Sequence, residues 1–421
     1  GAPINPDEPD GPKWPSSTNY DKTVNETVSY VDQNGHVVAK QHTDSVNFTR
    51  TVVVDNVTGE VITSGAGTTA WTATNGDTTF DAVVSPVVPG SVADKAQTAA
   101  VTDLNADSAD VNATVTYTKV GSLVPSSSDG HFPGARPVVY PNDPSDATKV
   151  KPAGVPTVPG YTAHDPEGHV LTPGSSYQPS DPTKDTTITY TADNQTGSVS
   201  YVDDTTGKTL KTDSISGTTG SKSSYSTSGN ITDYKKHGYE LVTDGYPADL
   251  TFDNDDTTAQ NFTVHLKHQL TPVNPTDPQT PGTLINPDEP DGPKWPSSTN
   301  YDKTVNETIS YVDQNGHVVA KQHTDSVNFT RTVVVDNVTG EVITSGAGTT
   351  AWTATNGDTT FDAVVSPVVP GSVADKAQTA AVTDLNADSA DVNATVTYTK
   401  VGSLVPSSSD GNFPGAPTVV Y

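Results

Sequence analysis

The 421-residue chain contains no cysteine and no methionine. Disulfides, thiolate nucleophiles and cysteine-bound metals are therefore excluded, and stability must come from packing and hydrogen bonding alone. Apolar residues are sparse at 32%, and leucine is scarce, which points to several small cores rather than one large one. No apolar run reaches the length of a membrane span. No segment reads as a signal peptide, and any export signal or anchor is expected outside this stretch. Basic residues are few: 22 Lys and Arg stand against 50 Asp and Glu, for a net charge of −28. Phosphate recognition needs clustered Lys and Arg, so nucleic acid and insertion into an anionic membrane are both excluded as functions. The excess charge suits the solubility of a long exposed chain. Nucleophile-elbow, P-loop and H-E-x-x-H patterns are missing, so the sequence reads as a non-enzyme.

What is abundant is Thr, Val, Asp, Asn, Gly and Pro, a mixture that favours strands and turns. The dominant feature is duplication. Ile4–Tyr140 recurs as Ile285–Tyr421, shifted by 281 positions, with mismatches only at Val28/Ile309, His131/Asn412, Arg136/Pro417 and Pro137/Thr418. Repetition of a long unit marks an array, and arrays serve reach or avidity.

Proline recurs every third residue at 3, 6, 9, 12 and 15. It does so again from Pro272 to Pro281 and from Pro287 to Pro296. That period matches polyproline II, so both stretches are expected to be semi-rigid spacers, the second spanning about 75 Å if extended. In each copy Val24, Val28 and Tyr30 alternate with polar residues before the turn Asp32-Gln-Asn-Gly35, and Val46, Phe48, Val52 and Val54 supply further core positions. Ala93–Ala100 reads as a short helical piece, and Ala113–Thr118 as a closing strand. Pro86-Val-Val-Pro-Gly90 and Pro156-Thr-Val-Pro-Gly160 are each followed by such a strand, so two related domains, or a domain and a half, are expected.

The middle of the chain reads as a hairpin (Val199–Val202 and Lys208–Ser216), then a helix capped near Thr227 or Ser228 and ended by Gly238. Strands Tyr239–Val242 and Asn261–Lys267 follow, the latter with Phe262, Val264 and Leu266 inward. Hairpin, helix and further strands is the order of a ubiquitin-like β-grasp. The expected fold class is mainly β (α+β): tandem β-grasp modules in an elongated, monomeric array with Pro-rich linkers. The expected divisions are a linker over 1–16, the first copy over 17–123, a connector with a small β region over 124–195, and the β-grasp domain over 196–269. A second linker over 270–297, the second copy over 298–404 and the start of a further connector over 405–421 complete the chain.

The middle module resembles the first domain type of the bacterial mucus-binding (Mub) repeat family. The residues that carry this are Tyr201-Val-Asp-Asp-Thr-Thr-Gly-Lys-Thr-Leu210, Gly238-Tyr-Glu-Leu241, Phe252-Asp-Asn-Asp-Asp256 and Gln260–His268, with the lead-in Val155–Tyr161. The two copies are similar to the second Mub domain type through Val28–Asp32, Asn47–Thr51, Asp55–Glu60, Trp71 and Phe80–Pro86. The resemblance implies a MucBP-like surface adhesin of Gram-positive bacteria, secreted or anchored to the cell wall. It implies host mucin glycoproteins as partners, with immunoglobulins as the alternative partner. A stalk that binds nothing and projects a tip domain is the structural alternative. It names no glycan site.

Candidate site residues come instead from the residue types. Trp71, Asn75 and Asp77, with their counterparts Trp352, Asn356 and Asp358, combine an aromatic plate with hydrogen-bonding groups, as a sugar site requires. Asp253, Asp255 and Asp256 form an oxygen-rich cluster suited to calcium, the one cofactor considered. His265 and His268, three apart on a strand, face opposite ways and cannot share a metal. Lys22 and Asn112 are the candidate partners for an isopeptide cross-link.

Overall fold

The computed structural model describes all residues from Gly1 to Tyr421. They form two compact units. The first comprises Gly1–Thr196 with Ser216–Ser223 and Thr251–Ala259, and the second comprises the remainder.

In the first unit, the first copy contributes β1 (Asp21–Asp32), β2 (Val37–Thr49), β3 (Val53–Val54), β4 (Val61–Ile62), β5 (Thr72–Ala73), β6 (Ser91–Ala93) and β7 (Val111–Lys119). The main sheet has the order β5-β2-β1-β7-β6, with β1 and β7 parallel. Alternation along β1 buries Val24, Val28 and Tyr30. They feed two clusters, one with Val46, Phe48 and Phe80 and one with Val115 and Tyr117. The connector adds β8 (Ser122–Ser126), β9 (Val138–Val139), β10 (Ala153–Gly154), β11 (Tyr161–His164), β12 (Val170–Leu171), β13 (Ser176–Tyr177) and β14 (Thr186–Ala192). Its sheet runs β12-β11-β14-β8-β9, and β8 and β14 are parallel.

The middle module contains β15 (Asn194–Asp203), β16 (Lys208–Thr218), α1 (Ser228–Lys236), β17 (Tyr239–Asp244) and β18 (Gln260–His268). They form the order β16-β15-β18-β17 with β15 and β18 parallel. All three module types thus place the first and last long strands side by side and parallel, flanked by antiparallel neighbours. The α-helix expected of a β-grasp is present only in the middle. Gly238 ends it at φ 91, and a Cβ there would lie 2.4 Å from the Asn337 carbonyl oxygen, so only glycine fits. Thr227 precedes the helix, but its hydroxyl donates to Asp244 instead of capping, and Ser226 accepts from the Ser228 amide.

The second unit continues with β19 (Leu270–Val273), β20 (Asp302–Asp313), β21 (Val318–Thr330), β22 (Val333–Asp336), β23 (Val342–Ile343), β24 (Thr353–Ala354), β25 (Ser372–Ala374), β26 (Val392–Lys400), β27 (Ser403–Leu404) and β28 (Val419–Val420). The second copy repeats the sheet of the first as β24-β21-β20-β26-β25.

Three expectations need correction. The second Pro-rich stretch is not an extended spacer. Its start is strand β19, paired with β22, and Ile285 is buried, its amide donating to the Pro293 carbonyl. Apolar Val273 and Ile285 within the proline period give it a surface to bury, which a free polyproline rod lacks. Ala93–Ala100 is not helical, because its amides are committed to neighbouring segments: Ala93 to Ala147, Asp94 to Thr116 and Thr98 to Val83. Lys22 does not meet Asn112, since its ammonium pairs with Asp107 at 3.5 Å.

Candidate functional site

Trp71 is half-buried against the Val24, Val46 and Phe48 cluster. The Arg50 guanidinium lies 4.4 Å from its ring centroid and the Lys22 ammonium 5.5 Å away, both over the ring. Arg50 is aimed by its Nε, which donates to the Asn19 carbonyl at 2.7 Å. Trp352 carries Arg331 and Lys303 at the same distances. Arg50 and Arg331 are two of only three arginines in the chain, so two of its three guanidiniums lie on these indoles. A cation over an indole face is attracted by about 0.5–2 kcal/mol. Asn75 and Asp77 do not join this cluster through the side-chain oxygens that bond locally. The Asn75 oxygen accepts from the Asp77 amide at 3.1 Å, and the Asp77 carboxylate accepts from the amide and hydroxyl of Thr79 at 3.0 and 2.9 Å. Asn356 and Asp358 behave identically.

The aspartates considered for calcium are likewise occupied. Asp253 accepts from the Asp255 amide, Asp255 caps Thr257 through both amide and hydroxyl, and Asp256 accepts from Gln195. Asx turns at Asp253 and Asp255 orient two of these carboxylates.

The connector holds a cavity of about 210 Å³ between Val155, Val158, Tyr161, Leu171, Tyr190 and the paired carboxyls of Asp193 and Asp256. Burial, reinforced by the hydrogen bond to Asp256, raises the Asp193 pKa above the usual carboxylate range. The signal for this site was the aromatic Tyr161 after the Pro-Gly turn, which the other Pro-Gly turn replaces with Ser91.

One open groove is lined by Trp14, Tyr20, Arg50, Val52 and Val54 in the first copy. The apolar counterparts in the second copy are covered, since Val273 of β19 packs with Tyr301, Val333 and Val335, with Trp295 alongside, whereas Arg331 stays as partly exposed as Arg50. Tyr20 is 42% exposed and Tyr301 only 2%. The groove is therefore a docking seat for chain rather than a sugar cleft.

His268 lies next to that seat. Its Nδ1 is 2.6 Å from Asp336 and its Nε2 is 2.6 Å from Asp203, and all three side chains are buried. The alternation Phe262, Val264, Leu266 already places His268 inward, but its partner Asp336 is 68 residues away and was not legible. No helix is long and apolar enough to cross a membrane.

Two families of known domains match the sequence. The family described as Muc B2-like domain matches residues 15–121 and 296–402, a little over half of the chain, and the mucin binding domain family matches residues 195–268. Among solved structures, the chain is 35% identical to Mub-RV over 49% of its own length and 98% of that chain, with a TM-score of 0.37. It is 32% identical to a type 2 repeat of the mucus binding protein MUB from Lactobacillus reuteri, over 49% and 99%, with a TM-score of 0.33. It is 37% identical to the MucBP domain of an adhesion protein from Pediococcus pentosaceus, over 23% and 97%, with a TM-score of 0.20. No curated protein is similar enough to count as a match. With one domain type matched twice and the other between the two matches, the chain belongs to the mucus-binding repeat family.

Proposed function

We propose that this chain is a segment of a bacterial surface adhesin that holds host mucin glycans through many weak, equal sites. The observation that carries the reading is the duplicated cation-capped indole, Trp71 with Arg50 and Lys22, and Trp352 with Arg331 and Lys303. In a chain of net charge −28, long-range attraction to an anionic glycan is excluded. A planar guanidinium set on an aromatic plate supplies the short-range alternative, a fork for a sugar carboxylate or sulfate held in place by the indole beneath it. Near-identical copies favour avidity, because linked weak sites add strength without new contacts.

The test is binding of the chain to immobilised mucin before and after periodate or sialidase treatment. Binding should fall on treatment, and Arg50→Ala with Arg331→Ala should weaken it at least about tenfold, the scale of losing one charged hydrogen bond per site. Survival on deglycosylated target would redirect the search to protein partners, immunoglobulin first. Binding should also strengthen as pH falls from 7 toward the sequence pI of 4.4, because carboxylates begin to neutralise there and repulsion weakens. A flat profile over that range would sink the electrostatic account. A second reading, the stalk, is favoured by how many candidate groups are committed to turns and by the seating of β19 against β22. Failure to bind any mucin would leave that reading in place.

A further inference from the structure

A charged residue sits where the sheet should be apolar. Along β1 the inward positions are Val24, Glu26, Val28 and Tyr30, and all four are buried. The second copy places Glu307 among Val305, Ile309 and Tyr311 in the same way. Glu307 is 2% exposed and its Oε1 has no hydrogen-bond partner. Burying a carboxylate oxygen without a hydrogen bond is costly, so the position favours a cation.

The cross-strand neighbours supply the rest of a site. Asp325 lies directly opposite Glu307, and His323 lies opposite Ile309, one inward position further along the same face. The orphan Oε1 points at the imidazole, 4.0 Å from His323 Nε2, and in the first copy Glu26 Oε1 is 3.9 Å from His42 Nε2. In each copy one donor atom from the glutamate, the histidine and the aspartate all lie within 4.8 Å of one another. One oxygen of Asp325 also accepts from the Ser326 amide at 2.7 Å, which orients the carboxylate. His323 and Asp325 are at the surface while Glu307 forms the floor, so an ion could enter from solvent.

We propose that Glu26, His42 and Asp44, and equally Glu307, His323 and Asp325, each bind one divalent transition-metal ion. An O, N, O donor set with one imidazole suits zinc, cobalt, nickel or manganese better than calcium or magnesium, which take oxygen alone. Bonds of about 2.0–2.1 Å in a tetrahedron separate donors by about 3.3 Å. Closing from the observed spacing requires only small movements of the two surface side chains. Three protein donors leave a fourth position open to water. Burial, opposed by His42 and aided by Asp44, raises the Glu26 pKa. A bound ion would reverse that by stabilising the carboxylate.

The experiment titrates the full chain with zinc, and with cobalt as a visible-absorption probe, following heat, colour and thermal melting. Two equal sites per chain are expected, with melting raised by zinc and not by calcium. His42→Ala with His323→Ala should weaken binding by about a hundredfold or more, since losing second-shell support alone costs about 10–100-fold. His169→Ala, which removes the exposed imidazole near Asp165 and Glu167, should change nothing. Glu26→Gln with Glu307→Gln should raise melting without metal and abolish the further rise with it, a pair of opposite effects that a purely structural glutamate would not produce. Absence of a zinc effect, preference for calcium, or binding unchanged in the double histidine variant would overturn the proposal.

Discussion

His268→Ala should cost about 3–5 kcal/mol, the scale for removing one member of a buried ion pair. Asp203 and Asp336 would be left facing each other in a dry site without the group that separates their charges. Each carboxylate has other partners: Asp203 accepts from the Thr205 amide and the Thr206 hydroxyl, and Asp336 from the amides of Val338 and Thr339. Those bonds hold the carboxylates in place but do not cancel their mutual repulsion. The first copy provides an internal control. Asp55 makes the same two turn bonds at 2.8 and 3.2 Å without any histidine, so the turn itself should survive the substitution. Urea unfolding should therefore report loss in the second unit, while melting of the first copy is unchanged. A loss under about 1 kcal/mol would mean the triad is not an ion pair.

The same triad sets a pH dependence. Both ring nitrogens of His268 face carboxylate oxygens, a geometry that only the doubly protonated imidazolium satisfies. Burial alone would lower its pKa, but the hydrogen bonds and charges of Asp336 and Asp203 outweigh that and raise it above the ordinary 6.5. Because the folded value is raised, the stabilisation is fully present below about pH 6.5 and is lost as pH rises through the higher folded value. His237, at the end of α1, is shifted the same way by the Asp233 carbonyl and by Glu289, 3.8 Å distant. Stability of the second unit should thus be greater at pH 6 than at pH 8, and His268→Ala should flatten most of that difference. The opposite slope would show that His268 is buried neutral.

Period-two alternation made the strands legible: Val24, Val28 and Tyr30 in the copies and Val264 and Leu266 in the middle module are buried as read, and Phe262 is partly buried. The same alternation places Glu26 and His268 inside, and both are buried although their residue types argue against it. What a strand pattern does not carry is the partner. Asp336 lies 68 residues from His268 in sequence, and a contact of that separation depends on the tertiary fold. The proline period was misleading for a related reason. It describes the local backbone preference of residues 272–296 but not the pull of Val273 and Ile285, whose burial overrides it. The Trp71 pairing with Arg50 was half legible, since the indole stood out while the cation came from a different strand region.

Val273→Asp should undock β19 and cost about 3 kcal/mol. Val273 is fully buried among Ile285, Tyr301, Val333 and Val335. Burying a valine contributes about 1.5–3 kcal/mol, and undocking also exposes the apolar groups beneath it. An aspartate carboxylate cannot stay in that pocket unpaired, so the strand leaves rather than the charge being buried. The loss is bounded by the docking energy, because the first copy keeps its sheet with Tyr20 uncovered and the equivalent groove open. Amide exchange gives a specific readout. Residues 52–56 and 333–337 have the same sequence, so their peptides coincide in mass. In the unaltered chain they should exchange as two populations, a fast one from the open edge and a slow one held by β19 and by Gln269 just before it, whose carbonyl accepts from the Asn337 amide at 2.9 Å. In Val273→Asp the slow population should merge into the fast one. Persistence of two populations would show that β19 is held by something other than Val273, with the backbone pairing of Leu270–Val273 to Val333–Asp336 the remaining candidate.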